Sequence, residues 1–216
     1  MKQVMPRGTV QFVSQKTASL SHLDTIRLAL EGGCRWVQLR MKDESQEQIV
    51  STAIKVRELC DQYAATFIID DHVELVEQCH ADGVHLGQHD MPVSEARKIL
   101  GNEKIIGGTA NDLATIKKHY DDGADYVGLG PFRFTTTKKN LSPILGLDGV
   151  KAIGEGMKNG GWHIPIVVIG GINANDIADI MPCNMDGIAI SGIVANADNP
   201  VNEMKKLLNE INKWKN

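Results

Sequence analysis

Trp36-Val37-Gln38-Leu39-Arg40-Met41-Lys42 carries three polar side chains at alternate positions. An extended segment projects Gln38, Arg40 and Lys42 to the same side. Two cations and an amide held that way could grip an anionic metabolite. A second group is acidic: Thr66-Phe67-Ile68-Ile69 runs into Asp70 and Asp71, and Asp90 follows the next apolar run. Carboxylates on adjacent strands can share one hard cation, and Mg²⁺, which retains several of its waters, fits best. The helix dipole offers a plainer reading, in which the aspartates begin a helix, but it explains one of the pair better than both. Cys79, His80, His85 and His89 bring zinc to mind, yet their spacing matches no standard signature and His85 lies within a strand.

A third group suits phosphate. From Gly128-Leu129-Gly130-Pro131 the chain enters a polar stretch, Thr135-Thr136-Thr137-Lys138-Lys139-Asn140, that continues to about Gly146. Connections in compact domains have a median of roughly 4–6 residues, so a stretch this long reads as a lid or binding loop. Further on, Gly170-Gly171 and Ser191-Gly192 each end an apolar run, and glycine lets backbone N–H groups approach an anion closely.

These groups need a scaffold that brings strand ends together. Apolar runs at Val10–Val13, Trp36–Met41, Thr66–Ile69, Gly83–Gly87, Lys104–Gly108, Tyr126–Gly130, Pro165–Gly171 and Gly187–Gly192 read as strands. Between them lie helical patterns: one from about Ser21 with Leu23, Ile26 and Leu30 on a face, and a longer one capped near Ser45 with Ile49, Ala53, Val56 and Cys60 inward. Others run through Val73 to Val76, from Pro92 to Leu100, through Leu113 to Tyr120, Leu147 to Met157, Asn175 to Ile180 and Pro200 to Trp214. Gly33, Asp82, Asp122 and Asp186 each precede an apolar run, which makes the βα unit a repeat. Eight such units predict an α/β fold of the (β/α)₈ TIM-barrel type, one domain over residues 1–216, with an open doubly wound sheet as the structural alternative. In a barrel, the C-terminal strand ends share one mouth, and the loops after strands seven and eight are its habitual phosphate site.

Composition agrees. Hydrophobic residues make up 42% of the chain and aromatic ones 5%, so Val, Ile, Leu and Ala must fill the interior, as in buried parallel strands. A net charge of −4 shows no footprint for nucleic acid. Four dispersed cysteines suggest a reducing cytoplasm, and no run approaches the 18 apolar residues of a membrane span.

With Gln38-Leu39-Arg40-Met41-Lys42, Ile69-Asp70-Asp71, Asp82-Gly83-Val84-His85-Leu86-Gly87-Gln88-His89-Asp90, Gly130-Pro131 through Lys138, and Ile169-Gly170-Gly171-Ile172 in order along nearly the whole chain, the sequence resembles the thiamine phosphate synthase family. That resemblance implies a transferase that joins an aminopyrimidine methyl diphosphate to a thiazole ethyl phosphate, with Mg²⁺, and releases pyrophosphate. It implies that Asp71 and Asp90 hold the metal, that Arg40, Lys42 and Lys138 grip the diphosphate, and that Gln38 faces the pyrimidine. Thr135, Thr137, Gly171 and Ser191, with the Gly192 amide, would receive the thiazole phosphate. Three positions depart from the family pattern: Asp70 stands for a common Asn, Gly108 for a Ser after strand five, and His72 for an Arg. Asp70 would then turn to the metal or be protonated, and the Thr109 hydroxyl could take over a hydrogen bond lost at Gly108. A thiazole tautomerase of the same superfamily would need no diphosphate grip, and a silent regulatory barrel would keep the charges as relics. The oligomeric state is left open.

Overall fold

The computed structural model describes residues 6–134 and 143–214. Eight parallel strands close into a barrel in chain order: β1 (Val10–Val13), β2 (Trp36–Leu39), β3 (Thr66–Asp70), β4 (Gly83–Leu86), β5 (Ile105–Ala110), β6 (Tyr126–Leu129), β7 (Ile166–Ile169) and β8 (Gly187–Ile190). Val10, Gln11 and Phe12 pair with Ile188, Ala189 and Ile190 to shut the sheet. The helices alternating with them are α1 (His22–Glu31), α2 (Gln46–Gln62), α3 (Leu75–Gln78), α4 (Val93–Leu100), α5 (Leu113–Asp121), α6 (Gly146–Gly160) and α7 (Ile177–Ile180), followed after β8 by α8 (Gly192–Ala195) and α9 (Pro200–Asn212). This is the (β/α)₈ architecture.

Strands buried on both faces explain the near-continuous apolar runs. Val37, Leu39, Phe67, Ile69, Val84 and Ile106 face the helices, while Val13, Trp36, Ile68, Ile105, Tyr126, Val167 and Ala189 pack together inside the barrel. Strand alternation then decides which polar residues look inward. Ser21 and Ser45 start α1 and α2 with reciprocal capping boxes, each worth about 1 kcal/mol.

At the N-terminal end of the barrel one device is used three times. Asp82, Asp125 and Asp186, each at the entry to an even-numbered strand, accept the backbone N–H of Phe67, Ile106 and Ile166 on the strand before, at 2.7–2.8 Å. A cationic or imidazole side chain backs each one: Arg57, Arg97 and His163. Between β5 and β6 it is Asp125 that takes this place. Asp122, which precedes the same apolar run, pairs with Lys118 on the outer surface.

Several boundaries differ from the sequence expectation. β3 includes Asp70, and α3 begins only at Leu75, so neither Asp70 nor Asp71 starts a helix. β5 reaches Ala110, which makes Thr109 a strand residue. The last helix ends at Asn212, short of Trp214, because the helical pattern outlasts its anchoring apolar residue, Ile211.

Candidate active site

At the ends of β2, β3 and β4 the charges meet. Gln38 donates its side-chain amide to Asp70 across the β2–β3 pair, and Arg40 Nε lies 3.5 Å from the other Asp70 oxygen. Asp70 is 7% exposed, so a charge there needs such partners. Its carboxylate turns back to the cation and amide of β2. The extra negative charge at this position is therefore matched within the chain by Arg40, a pairing that sequence alone did not suggest.

Past β3, Asp71 adopts a left-handed backbone (φ +67°), a conformation that Asp tolerates better than most residues. Its N–H still pairs with the His85 carbonyl at 2.8 Å, so the turn aims the side chain without leaving the sheet. Lys42 Nζ lies 2.9 Å from Asp71 Oδ2. Asp90 is oriented by the Gly87 N–H, at 2.6 Å, and its carboxyl group hydrogen-bonds that of Asp71. Burial pushes Asp90 up, and the Asp71 charge adds to the effect. Burial also pushes Asp71 up, but its contacts with Asp90, Lys42 and Arg40 outweigh that and hold it below the usual carboxylate range. Lys42 is drawn down by burial but raised further by Asp71 and Asp70, which keeps it an ammonium. Two neighbouring carboxyl groups at adjoining strand ends are hard oxygen donors that a divalent ion can use. Mg²⁺ needs only one or two carboxylates when phosphates and waters complete its shell, so the donor set fits. No cluster of three or more His, Cys, Asp or Glu that could hold a metal occurs among the described residues, and the cysteine and histidine run from Cys79 to His89 forms no zinc site there.

On β5 the two candidates point opposite ways. A Cβ at Gly108 would sit 2.8 Å from the His119 ring of α5, so position 108 faces the helix layer. A side chain there would point toward α5 and away from the mouth, because neighbouring strand residues alternate between the two faces. Thr109 faces inward, 2.9 Å from His85 Nε2.

At β7 the Gly170-Gly171 turn has φ of +105° and +66°. A Cβ on Gly170 would be 2.8 Å from Pro131 and one on Gly171 2.7 Å from Arg133, so the approach of the β6 exit also requires glycine. Arg133 donates to the Gly171 carbonyl at 2.6 Å and forks onto Asp176 at 2.7 and 2.8 Å, bracing the turn. At β8, Ser191 Oγ donates to Gln15 Oε1 at 3.1 Å, with Gly192 next in chain at the start of α8. Thr135, Thr137 and Lys138 lie outside the described residues.

The barrel thus brings Gln38, Arg40, Lys42, Asp70, Asp71 and Asp90 together at the ends of β2 to β4. Sequence reasoning missed several supports. Ser14 accepts the Arg40 N–H and meets His22 Nδ1, both at 2.9 Å; Gln15 and Arg133 act as above. Burial lowers the His22 pKa, Glu44 opposes this, and Lys16 and Arg40 add to the lowering. The one sequence signal for these residues was their position at strand ends.

The chain is similar to known proteins along most of its length. The family model described as thiamine monophosphate synthase matches residues 10–194. A thiamine-phosphate synthase of Phocaeicola vulgatus is 56% identical over 93% of this chain and 96% of its own length, and one of Bacteroides fragilis is 52% identical over 93% and 98%. Among solved structures, a thiamine phosphate pyrophosphorylase from Pyrococcus furiosus superposes with a TM-score of 0.85 at 28% identity, covering 96% of this chain and 97% of that one.

Proposed function

Because the chain belongs to the thiamine monophosphate synthase family, and as an enzyme makes thiamine phosphate from a pyrimidinylmethyl diphosphate and a thiazole ethyl phosphate, we propose how its residues divide that reaction. The observation that carries the proposal is the convergence of Arg40 and Lys42 with the Asp71 and Asp90 pair at adjoining strand ends. A leaving diphosphate carries about three negative charges, and stabilising that charge as the carbon–oxygen bond breaks is the largest demand on the site. Arg40 and Lys42 lie where they can meet those oxygens. Asp71 and Asp90 are the residues that would hold Mg²⁺, which when bound supplies further positive charge to the departing diphosphate.

Gln38 orients the pyrimidine, with its amide already anchored on Asp70. Thr109 presents a hydroxyl to the same substrate. The Gly170-Gly171 turn, Ser191 and the Gly192 amide form the cradle for the thiazole phosphate, and Thr135, Thr137 and Lys138 join by resemblance alone. In a dissociative substitution the carbon–oxygen bond to diphosphate breaks first, the electron-rich aminopyrimidine shares the positive charge left on its methylene carbon, and the thiazole nitrogen then captures that carbon with its own lone pair. No proton is removed, so the site needs no general base. Small phosphorylated substrates and an absence of any described helix long and apolar enough to cross a membrane accord with a cytoplasmic enzyme.

The test is direct. Purified protein with both phosphorylated precursors and Mg²⁺ should form thiamine phosphate and pyrophosphate in equal amounts. Omission of either precursor, or removal of the metal, should abolish product; full turnover without metal would refute the roles given to Asp71 and Asp90.

A further inference from the structure

Behind Thr109 runs a polar chain through the barrel interior, three residues of which have none of those roles. Gln11 Nε2 on β1 donates to the Tyr126 hydroxyl on β6 at 3.0 Å, that hydroxyl lies 3.0 Å from His85 Nδ1 on β4, and His85 Nε2 lies 2.9 Å from Thr109 Oγ1 on β5. Gln11, Tyr126 and His85 are buried, whereas Thr109 is only partly so. The barrel makes room for this chain. A Cβ at Gly107 would lie 2.2 Å from Tyr126 Cζ and 2.6 Å from His85 Nδ1, and one at Gly128 3.1 Å from His85 Cε1.

We propose that Gln11, Tyr126 and His85 are positioning residues that hold the Thr109 hydroxyl as a hydrogen-bond donor toward an acceptor atom of the pyrimidine diphosphate. The proposal rests on the reading that this substrate lies over the ends of β2 to β5. Donor counting supplies the direction. Burial keeps the Tyr126 phenol protonated, and its oxygen already receives the Gln11 amide. Its own hydrogen then goes to His85 Nδ1, which must be bare. A neutral imidazole so arranged carries its proton on Nε2 and donates to Thr109 Oγ1. The Thr109 hydrogen is thereby turned away from His85, toward the mouth. Without the phenol, His85 can move its proton to Nδ1 and accept from Thr109 instead, which withdraws the hydrogen from substrate.

Two measurements test this. In full-length protein with ¹⁵N-labelled histidine, NMR should show His85 as the Nε2–H tautomer; an Nδ1–H tautomer would overturn the donor direction. A kinetic cycle follows with Thr109→Val, Tyr126→Phe and the double variant. Loss of a hydrogen bond to a charged group should lower kcat/KM for the diphosphate by about 10- to 100-fold in Thr109→Val. Tyr126→Phe should lose several-fold to tenfold alone and nothing further in the Thr109→Val background. Multiplying losses would show that Tyr126 acts independently of Thr109 and overturn the proposal. Should Tyr126→Phe fail to fold, Gln11→Met takes its place in the same cycle, with the same expected outcomes. An inactive wild type would refute the functional reading, while the tautomer, read without substrate, would still decide the chain's direction.

Discussion

The Gln38 amide donates to the Asp70 carboxylate across two neighbouring strands, and Arg40 stands 3.5 Å from the second oxygen of the same carboxylate. This arrangement makes Asp70 a partner of the substrate-facing residues and competes for Arg40 with any diphosphate. Asp70→Asn retains an acceptor for Gln38 but releases the guanidinium. KM for the diphosphate should fall a few-fold and kcat should hold or rise. A kcat loss beyond tenfold in steady-state assays would place Asp70 in the chemistry.

Lys42 touches Asp71 and faces the position given to the leaving group. Removing one preorganised transition-state donor costs on the order of 3 kcal/mol, so Lys42→Ala should lower kcat by about 10²-fold or more. Lys138→Ala is expected to do the same by resemblance. Single-turnover kinetics check both; unchanged kcat removes the residue concerned from the diphosphate.

Metal binding should be linked to pH through the Asp71 and Asp90 pair. Asp90 is raised above its ordinary 3.8 by burial and by the Asp71 charge, so as pH falls through that raised value the folded chain takes up a proton there that Mg²⁺ must displace. Affinity for Mg²⁺ should therefore rise with pH over a window beginning above 3.8, with up to one proton released per ion. For folding itself the signs oppose. The Asp90 contribution is complete below 3.8 and is lost as pH climbs through its raised value, whereas the Asp71 contribution is present above 3.8 and fades as pH falls through its depressed value. Calorimetry in buffers of different ionisation enthalpy counts the proton, and Asp90→Asn should abolish its release.

Gly108→Ser should bring no gain in substrate affinity. The new Cβ meets His119 at 2.8 Å and threatens its hydrogen bond to the Thr109 carbonyl, so about 1–3 kcal/mol of stability should be lost, read from denaturant unfolding. A lower KM for either substrate would show that position 108 reaches the mouth.

At the opposite end of the barrel, the three aspartate clasps should rank by burial. Asp125 is 5% exposed and holds both Arg97 and the Ile106 N–H, so Asp125→Ala should cost about 3–5 kcal/mol. The Asp82 and Asp186 side chains are 41% and 37% exposed, and alanine there should cost nearer 1 kcal/mol. Folded Asp125→Ala should retain wild-type kcat, because the clasp lies at the end of the barrel away from the mouth.

By itself the sequence determined the architecture and the chemical identity of the mouth. Apolar runs buried on both faces and short βα connections admit few arrangements other than a closed parallel barrel, and the closure brings Arg40, Lys42, Asp71 and Asp90 to one end whatever the details of packing. Direction across the strands was decided only in three dimensions. Whether Gly108 or Thr109 looks inward depends on where β5 starts in register with β4, a one-residue difference that composition does not carry. The Gln38–Asp70 and His85–Thr109 contacts join residues 32 and 24 positions apart, and Gln11 meets Tyr126 across 115. No local pattern encodes such pairs. They exist because eight strands share one interior, where a buried polar side chain finds its nearest polar neighbours on other strands.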